Sequence, residues 1–201
     1  MVQIVAATNS PHKVEELSRI LTPMGFQVLS LAEAGVSVHP KETADTFTGN
    51  AQLKAQAVFA LCGLPTIADD SGLCVRALDG RPGVHSARYG GEGLDDAGRV
   101  SRLLQEMQEV PAGSRGAKFV CAICCFLNQD TILECTGECE GTIGYEPLGQ
   151  DGFGYDPVFM VGGRSYAQLD AAEKDAISHR GRALHNLREM LAPYQARGII
   201  A

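Results

Sequence analysis

Residues 3–7, Gln3-Ile4-Val5-Ala6-Ala7, are a near-continuous apolar run that stops at Thr8-Asn9-Ser10-Pro11, and this junction constrains the fold more than any other feature. So short an apolar run reads as a buried strand, while a serine followed by proline reads as a helix start, with Ser10 at the N-cap and Pro11 in the first turn. The predicted order is strand, tight loop, helix. The alternation returns further on. Residues 51–62 are rich in Ala, Leu and Gln and end at Gly63, as a helix does, and residues 65–68 read as a second short buried strand. A mixed α/β fold follows.

The rest of the chain fits that class. In residues 95–110, Val100, Leu103, Leu104 and Met107 fall at i, i+3, i+4 and i+7, an amphipathic helix stopped by Pro111. Residues 117–127 and 131–140, separated by Asn128-Gln129-Asp130, read as an antiparallel hairpin. Ile177, Leu184, Leu187 and Leu191 give a final helix its apolar stripe. With no internal repeat, low-complexity tract or linker, residues 1–201 are expected to be a single domain large enough to bury a core.

Composition removes several function classes. No apolar run approaches the roughly 18 residues of a membrane-spanning helix, and the first residues lack the basic and apolar regions of a signal peptide, so the expected location is the cytoplasm. The net charge of -7 argues against general adhesion to nucleic acid or anionic lipid. Any bound polyanion needs a local pocket. The seven cysteines include Cys121-x-x-Cys124 and Cys135-x-x-x-Cys139, but strand alternation sends Cys121 and Cys124 to opposite faces. Reduced, buried thiols are expected there rather than a zinc site.

Four segments carry candidate chemistry. Thr8-Asn9-Ser10-Pro11-His12-Lys13 puts a helix N-terminus and a mobile ammonium where a phosphate would be held, although a plain capped helix start with a surface lysine has the same pattern. Ala68-Asp69-Asp70-Ser71-Gly72 follows a strand and sets two carboxylates side by side, which suits a hard divalent ion such as Mg²⁺. It also reads as an ordinary turn. Glu42 is the candidate second metal ligand. Gly149-Gln150-Asp151-Gly152-Phe153-Gly154-Tyr155-Asp156-Pro157 brings aromatic rings and a carboxylate together, with Phe153 or Tyr155 able to stack on a base. In Glu173-Lys174-Asp175-Ala176-Ile177-Ser178-His179-Arg180-Gly181, Arg180 shares the apolar stripe and must find a partner, while Lys174, His179 and Arg180 form a run of donors.

Taken together, in order and over almost the entire chain, these segments resemble the inosine triphosphate pyrophosphatase family, also called the Ham1-like or non-standard purine NTP pyrophosphatases. The resemblance rests on residues 8–13, Glu42-Thr43 with Phe47 and residues 50–54, residues 67–72, Pro82-Gly83 with residues 86–89, residues 153–157, and Glu173-Lys174 with residues 176–181. One position departs. Ser10 stands where the family usually has Asn, two residues after the Thr, although Ser10 can still cap the helix and donate to a phosphate.

The resemblance implies a mixed central sheet flanked by helices, two lobes around a deep nucleotide cleft, and assembly as a homodimer. It also implies hydrolysis of inosine, deoxyinosine and xanthosine triphosphates to monophosphate and pyrophosphate. On this basis Glu42 and Asp70 are expected to hold Mg²⁺, with Asp70 orienting or deprotonating water and Asp69 supporting it. Thr8, Asn9, Ser10, Pro11, His12, Lys13 and Lys54 are assigned to the phosphates, and Ser71 to substrate binding. Phe153, Gly154, Tyr155, Asp156, Lys174, His179 and Arg180 are assigned to the base. Buried donors that meet the 6-carbonyl of a deaminated purine would reject adenine, whose amino group is itself a donor. Two rival readings are a Maf-like pyrophosphatase acting on pyrimidine or modified nucleotides and a non-enzymatic nucleotide-sensing module.

Overall fold

The computed structural model describes residues 1–91 and 93–196 and contains a seven-stranded sheet in the order β2-β1-β3-β4-β5-β6-β7. The strands are β1 (Val2–Ala6), β2 (Phe26–Leu29), β3 (Thr66–Val75), β4 (Gly116–Asn128), β5 (Thr131–Ile143), β6 (Phe159–Val161) and β7 (Arg164–Ser165). Five helices accompany them: α1 (Pro11–Leu21), α2 (Phe47–Cys62), α3 (Asp96–Glu106), α4 (Ala171–Ile177) and α5 (His179–Ala196). The sheet is mixed. β1 runs parallel to β2 and β3, with Val2 opposite Phe26 and Val5 opposite Thr66, whereas β6 is antiparallel to β5 and β7. The fold class expected from the sequence is the one found.

The chain divides into two compact units, the first formed by Met1–Asp70, Cys121–Gly137 and the residues from Arg180 onward, the second by Ser71–Val120 and Glu138–His179. Strands β3, β4 and β5 therefore pass from one unit to the other. In the first unit β1, with Ile4, Val5 and Ala6 fully buried, is covered on both faces, as a central parallel strand must be. One core gathers Ile4, Leu17, Leu21, Phe26, Ile123, Leu184, Leu187 and Leu191. A second gathers Val5, Ala51, Ala55, Val58, Ala68 and Phe126. The second unit packs Leu73, Val100, Leu103, Met107, Phe119, Val158, Phe159 and Tyr166 around its part of the sheet.

Local chemistry explains most element ends. Ser10 caps α1, its side chain accepting from the Lys13 amide, with Pro11 in the first turn. Thr46 caps α2, which ends at Gly63 in the left-handed conformation (φ 66°) that glycine takes without strain. Asp95 caps α3. Cys121, Cys124, Cys125 and Cys139 are buried along β4 and β5, and burial pushes Cys124 up to about 12 and the half-buried Cys135 up to about 11. These groups stay thiols and pack as small apolar side chains.

Three details differ from the sequence-based expectation. The strand predicted over residues 65–68 continues to Val75, so Asp69 and Asp70 lie inside β3 and not in a turn after it. Pairing on both sides of a central strand overrides the turn preference of Asp-Asp-Ser-Gly. The final helix is two helices: Ser178 is extended (φ -70°, ψ 159°), which leaves Ile177 on α4 while Leu184, Leu187 and Leu191 line α5. Arg115, unremarkable in the sequence, is 2% exposed and donates to the carbonyls of Met107, Val110, Ile143 and Gly144, with the Tyr145 ring 4.3 Å away. Carbonyl dipoles solvate this buried cation, holding the end of β5 against the loop that follows α3.

Candidate active site

Strand alternation sends consecutive residues to opposite faces, and for Asp69 and Asp70 the consequence is two different environments. Both are in the first unit. Asp69 is 1% exposed, and its Oδ2 accepts from Arg180 Nε (3.1 Å) and Nη2 (2.8 Å) and lies 3.1 Å from Lys13 Nζ. The remaining arm of Arg180, Nη1, donates to Glu16, which is itself buried one turn beyond Lys13 on α1. Burial alone would raise the pKa of Asp69. Arg180 first, then Lys13 and Lys54, outweigh it and hold this carboxyl well below the usual carboxylate range.

Asp70 faces other partners. Its Oδ1 is 3.0 Å from Lys54 Nζ and its Oδ2 accepts from Asn50 Nδ2 at 3.2 Å, both donors belonging to α2. Lys54 Nζ also donates to Glu42 Oε1 at 2.8 Å, so one ammonium stands between two carboxylates. At Asp70 burial wins. It pushes the pKa up, Glu42 adds to the rise, and Lys54 opposes without cancelling it. Lys54 stays an ammonium because Asp70, Asp69 and Glu42 more than offset its own burial. Two titratable groups pushed apart by their surroundings, one fixed as an anion and one tuned toward accepting a proton, are the arrangement acid-base chemistry needs.

Beside these carboxylates the N-terminus of α1 carries Ser10, whose amide donates to Thr8 Oγ1 at 3.2 Å, with Asn9, Pro11 and His12 exposed around it. No acidic side chain occupies the first turn, so the positive end of the helix dipole is left for an anion.

The second unit brings another set together. Asp156 Oδ2 accepts from Lys174 Nζ at 2.7 Å and from the Phe153 amide at 2.9 Å. Lys174 Nζ lies 5.0 Å from the centre of the Phe153 ring, within cation-π range. Gly152 makes the turn possible: at φ 76°, a Cβ there would stand 2.1 Å from Asp156 Oδ2. His179, 4% exposed, stacks on Phe119 with ring centres 4.5 Å apart and planes 9° from parallel, and Tyr166 lies parallel 6.3 Å away.

Tyr155 is 4% exposed in the core of the second unit, its hydroxyl donating to Ser86 O at 2.9 Å, whereas Phe153 is half-exposed. Ser71 and Gly154 stand on β3 and in the loop before β6, the Gly154 amide donating to Asp96 at 2.7 Å. Sequence reasoning missed Glu16, Phe119 and Tyr166, and gave Asn50 no role. Glu16 had a signal, lying three residues after Lys13 on the same helical face. The two rings had none, since their partners are remote in sequence.

The model of the Ham1 family matches residues 4–190. The chain belongs to the Ham1 family. Relatives of this Ham1 chain include proteins named dITP/XTP pyrophosphatase from Bacillus subtilis (strain 168), 42% identical over 95% of this chain and 98% of that one, and from Haemophilus ducreyi (strain 35000HP / ATCC 700724), 46% identical over 94% and 98%. A solved Ham1 protein from Coxiella burnetii superimposes with a TM-score of 0.86 at 40% identity, over 96% of this chain and all of that one.

Proposed function

We propose that this Ham1 chain hydrolyses non-standard purine nucleoside triphosphates (dITP, ITP and XTP) to the monophosphate and pyrophosphate, and that it works as one functional domain. The observation that carries the reading is the pair Glu42 and Asp70 converging on a single cation, the Lys54 ammonium, beside a helix N-terminus free of acidic side chains in its first turn. Full-length relatives named for this activity support it.

The two carboxylates are hard oxygen donors already gathered around one positive charge, which is the fit a divalent cation requires. Among the described residues no group of three or more His, Cys, Asp or Glu could form a closed cage. Mg²⁺, which binds through one or two carboxylates with phosphate and water oxygens, suits such a pair, and we assign it to Glu42 and Asp70. Bound there, it supplies charge neutralisation on the phosphates and polarises water.

The protein's own groups do the rest. Lys13, Lys54 and the segment Thr8, Asn9, Ser10, Pro11 and His12 hold the triphosphate, with Ser71 alongside. Asp70 orients the attacking water and takes its proton, while Asp69 keeps Lys13 and Arg180 in place. Lys174 and His179, with Arg180, supply the donors that read the purine 6-carbonyl. Asp156 orients Lys174, and Phe153 stacks on the ring beside Gly154. A buried donor left facing the amino group of adenine would cost on the order of 1–3 kcal/mol, about a fivefold to 150-fold preference. No described helix is long and apolar enough to cross a membrane. The free thiols of all seven cysteines accord with a reducing cytoplasm, and the family resemblance supports a homodimer.

The test is release of pyrophosphate and of free phosphate from dITP and XTP, with ATP and GTP alongside, with and without Mg²⁺. Pyrophosphate from dITP and XTP, dependent on metal, is expected. Free phosphate, or equal use of ATP, would overturn the assignment.

A further inference from the structure

Asn50 is fully buried (0% exposed) on α2, one turn before Lys54, and both ends of its carboxamide are used. Nδ2 donates to Asp70 Oδ2 at 3.2 Å, and Oδ1 accepts from the amide of Ala44 at 3.0 Å. Ala44 lies in the irregular segment that carries Glu42, two residues away. One side chain therefore ties Asp70, on β3, to the irregular segment that carries Glu42. Burying an amide is tolerated only when its donors and acceptors are met, so the side chain has a single favourable orientation here.

Occupancy of the two Asp70 oxygens shows what that orientation does. Oδ2 is held by Asn50 and Oδ1 by Lys54, which in turn reaches Glu42 Oε1. The geometry points to Asn50 as a positioning residue of the reaction, one that fixes the Asp70 carboxylate through Oδ2, so that Oδ1 and Glu42 Oε1 face a common divalent cation, and that tethers the Glu42 segment through Ala44. The inference rests on the assignment of Glu42 and Asp70 to the metal. It adds the group that sets their separation.

Groups that orient metal ligands cost roughly 10- to 100-fold in metal affinity or activity when removed. Asn50→Ala should lower kcat for dITP by that factor with KM changed less than about threefold, and should weaken Mn²⁺ binding similarly when measured by electron paramagnetic resonance with an α,β-methylene nucleotide that cannot be cut. Asn50→Asp covers the case in which the alanine variant fails to fold. It keeps the acceptor for the Ala44 amide but sets a second carboxyl against Asp70, so its melting temperature should fall while kcat per folded molecule drops at least about tenfold. Unchanged kcat in Asn50→Asp, or unchanged Mn²⁺ affinity in a folded Asn50→Ala, would overturn the role of Asn50 while Asp70→Asn still lost the ion. Unchanged Mn²⁺ affinity in Asp70→Asn as well would remove the reading of Asp70 as a ligand and, with it, this inference.

Discussion

On one face of β3, Asp69 and Glu16 meet Arg180 and Lys13, two carboxylates against two cations, all but Lys13 below about a tenth exposed. On the other face, Asp70 and Glu42 share the one ammonium of Lys54. The neighbours in sequence thus have opposite fates: Asp69 is held as an anion by its cations, and Asp70, with burial only partly offset by Lys54, has its pKa raised. The first network, two carboxylates against two cations, fixes Lys13 and Arg180 in place. Two carboxylates gathered on one ammonium suit a cation and a proton to be transferred.

Substitutions can break the comparison, and the largest effect belongs to the open face. Asp70→Asn is expected to lower kcat for dITP at least about a thousandfold, on the order of 4 kcal/mol in the barrier. Its melting temperature should stay the same or rise: a carboxyl whose folded pKa is raised stabilises the fold only below its unfolded value of about 4 and loses that contribution as pH rises through the folded value. Near-normal turnover would take Asp70 out of the mechanism. Next comes the closed face, where Asp69→Ala leaves Arg180 and Lys13 without their shared partner and should cost about 3–5 kcal/mol by urea unfolding. A loss under about 1 kcal/mol would mean that water enters the network.

Lys54→Met should reduce kcat/KM at least about tenfold, about 1.4 kcal/mol, since Glu42 and Asp70 would lose the ammonium they share. The smallest effect is expected at an exposed pair. Arg76 and Glu140 approach to 2.8 Å but are 72% and 59% exposed, so Arg76→Gln should change stability by less than about 0.5 kcal/mol.

The same contrast explains what could be read without coordinates. The junction of β1 and α1, the stripe of α3 and the leucines of α5 were legible because each is a local pattern with a period or a cap. The need of Arg180 for a partner was legible too, since a charge on an apolar stripe cannot stay alone. Which partner was not: Asp69 lies 111 residues away and Glu16 lies 164 away. Glu42, Lys54 and Asp70 were each singled out, but their meeting around one ammonium depends on α2 packing beside β3. The extension of β3 through Asp69 and Asp70, the break at Ser178 and the stack of Phe119, Tyr166 and His179 were hidden for one reason. Tertiary contacts decide them against, or without, any local preference.

The division of labour between the two aspartates is tested most directly by following kcat/KM for dITP and the folded fraction in parallel on one sample as pH is lowered. Asp69, with its folded pKa depressed, contributes stability that is present above an unfolded value of about 4 and is lost as pH falls through the folded value. In the metal-free protein Asp70, raised, takes up its proton at higher pH, in competition with the Mg²⁺ assigned to it. The account predicts that activity falls away first, in a protein still folded, and that unfolding follows only at more acidic pH. Loss of activity and of structure at the same pH would contradict it.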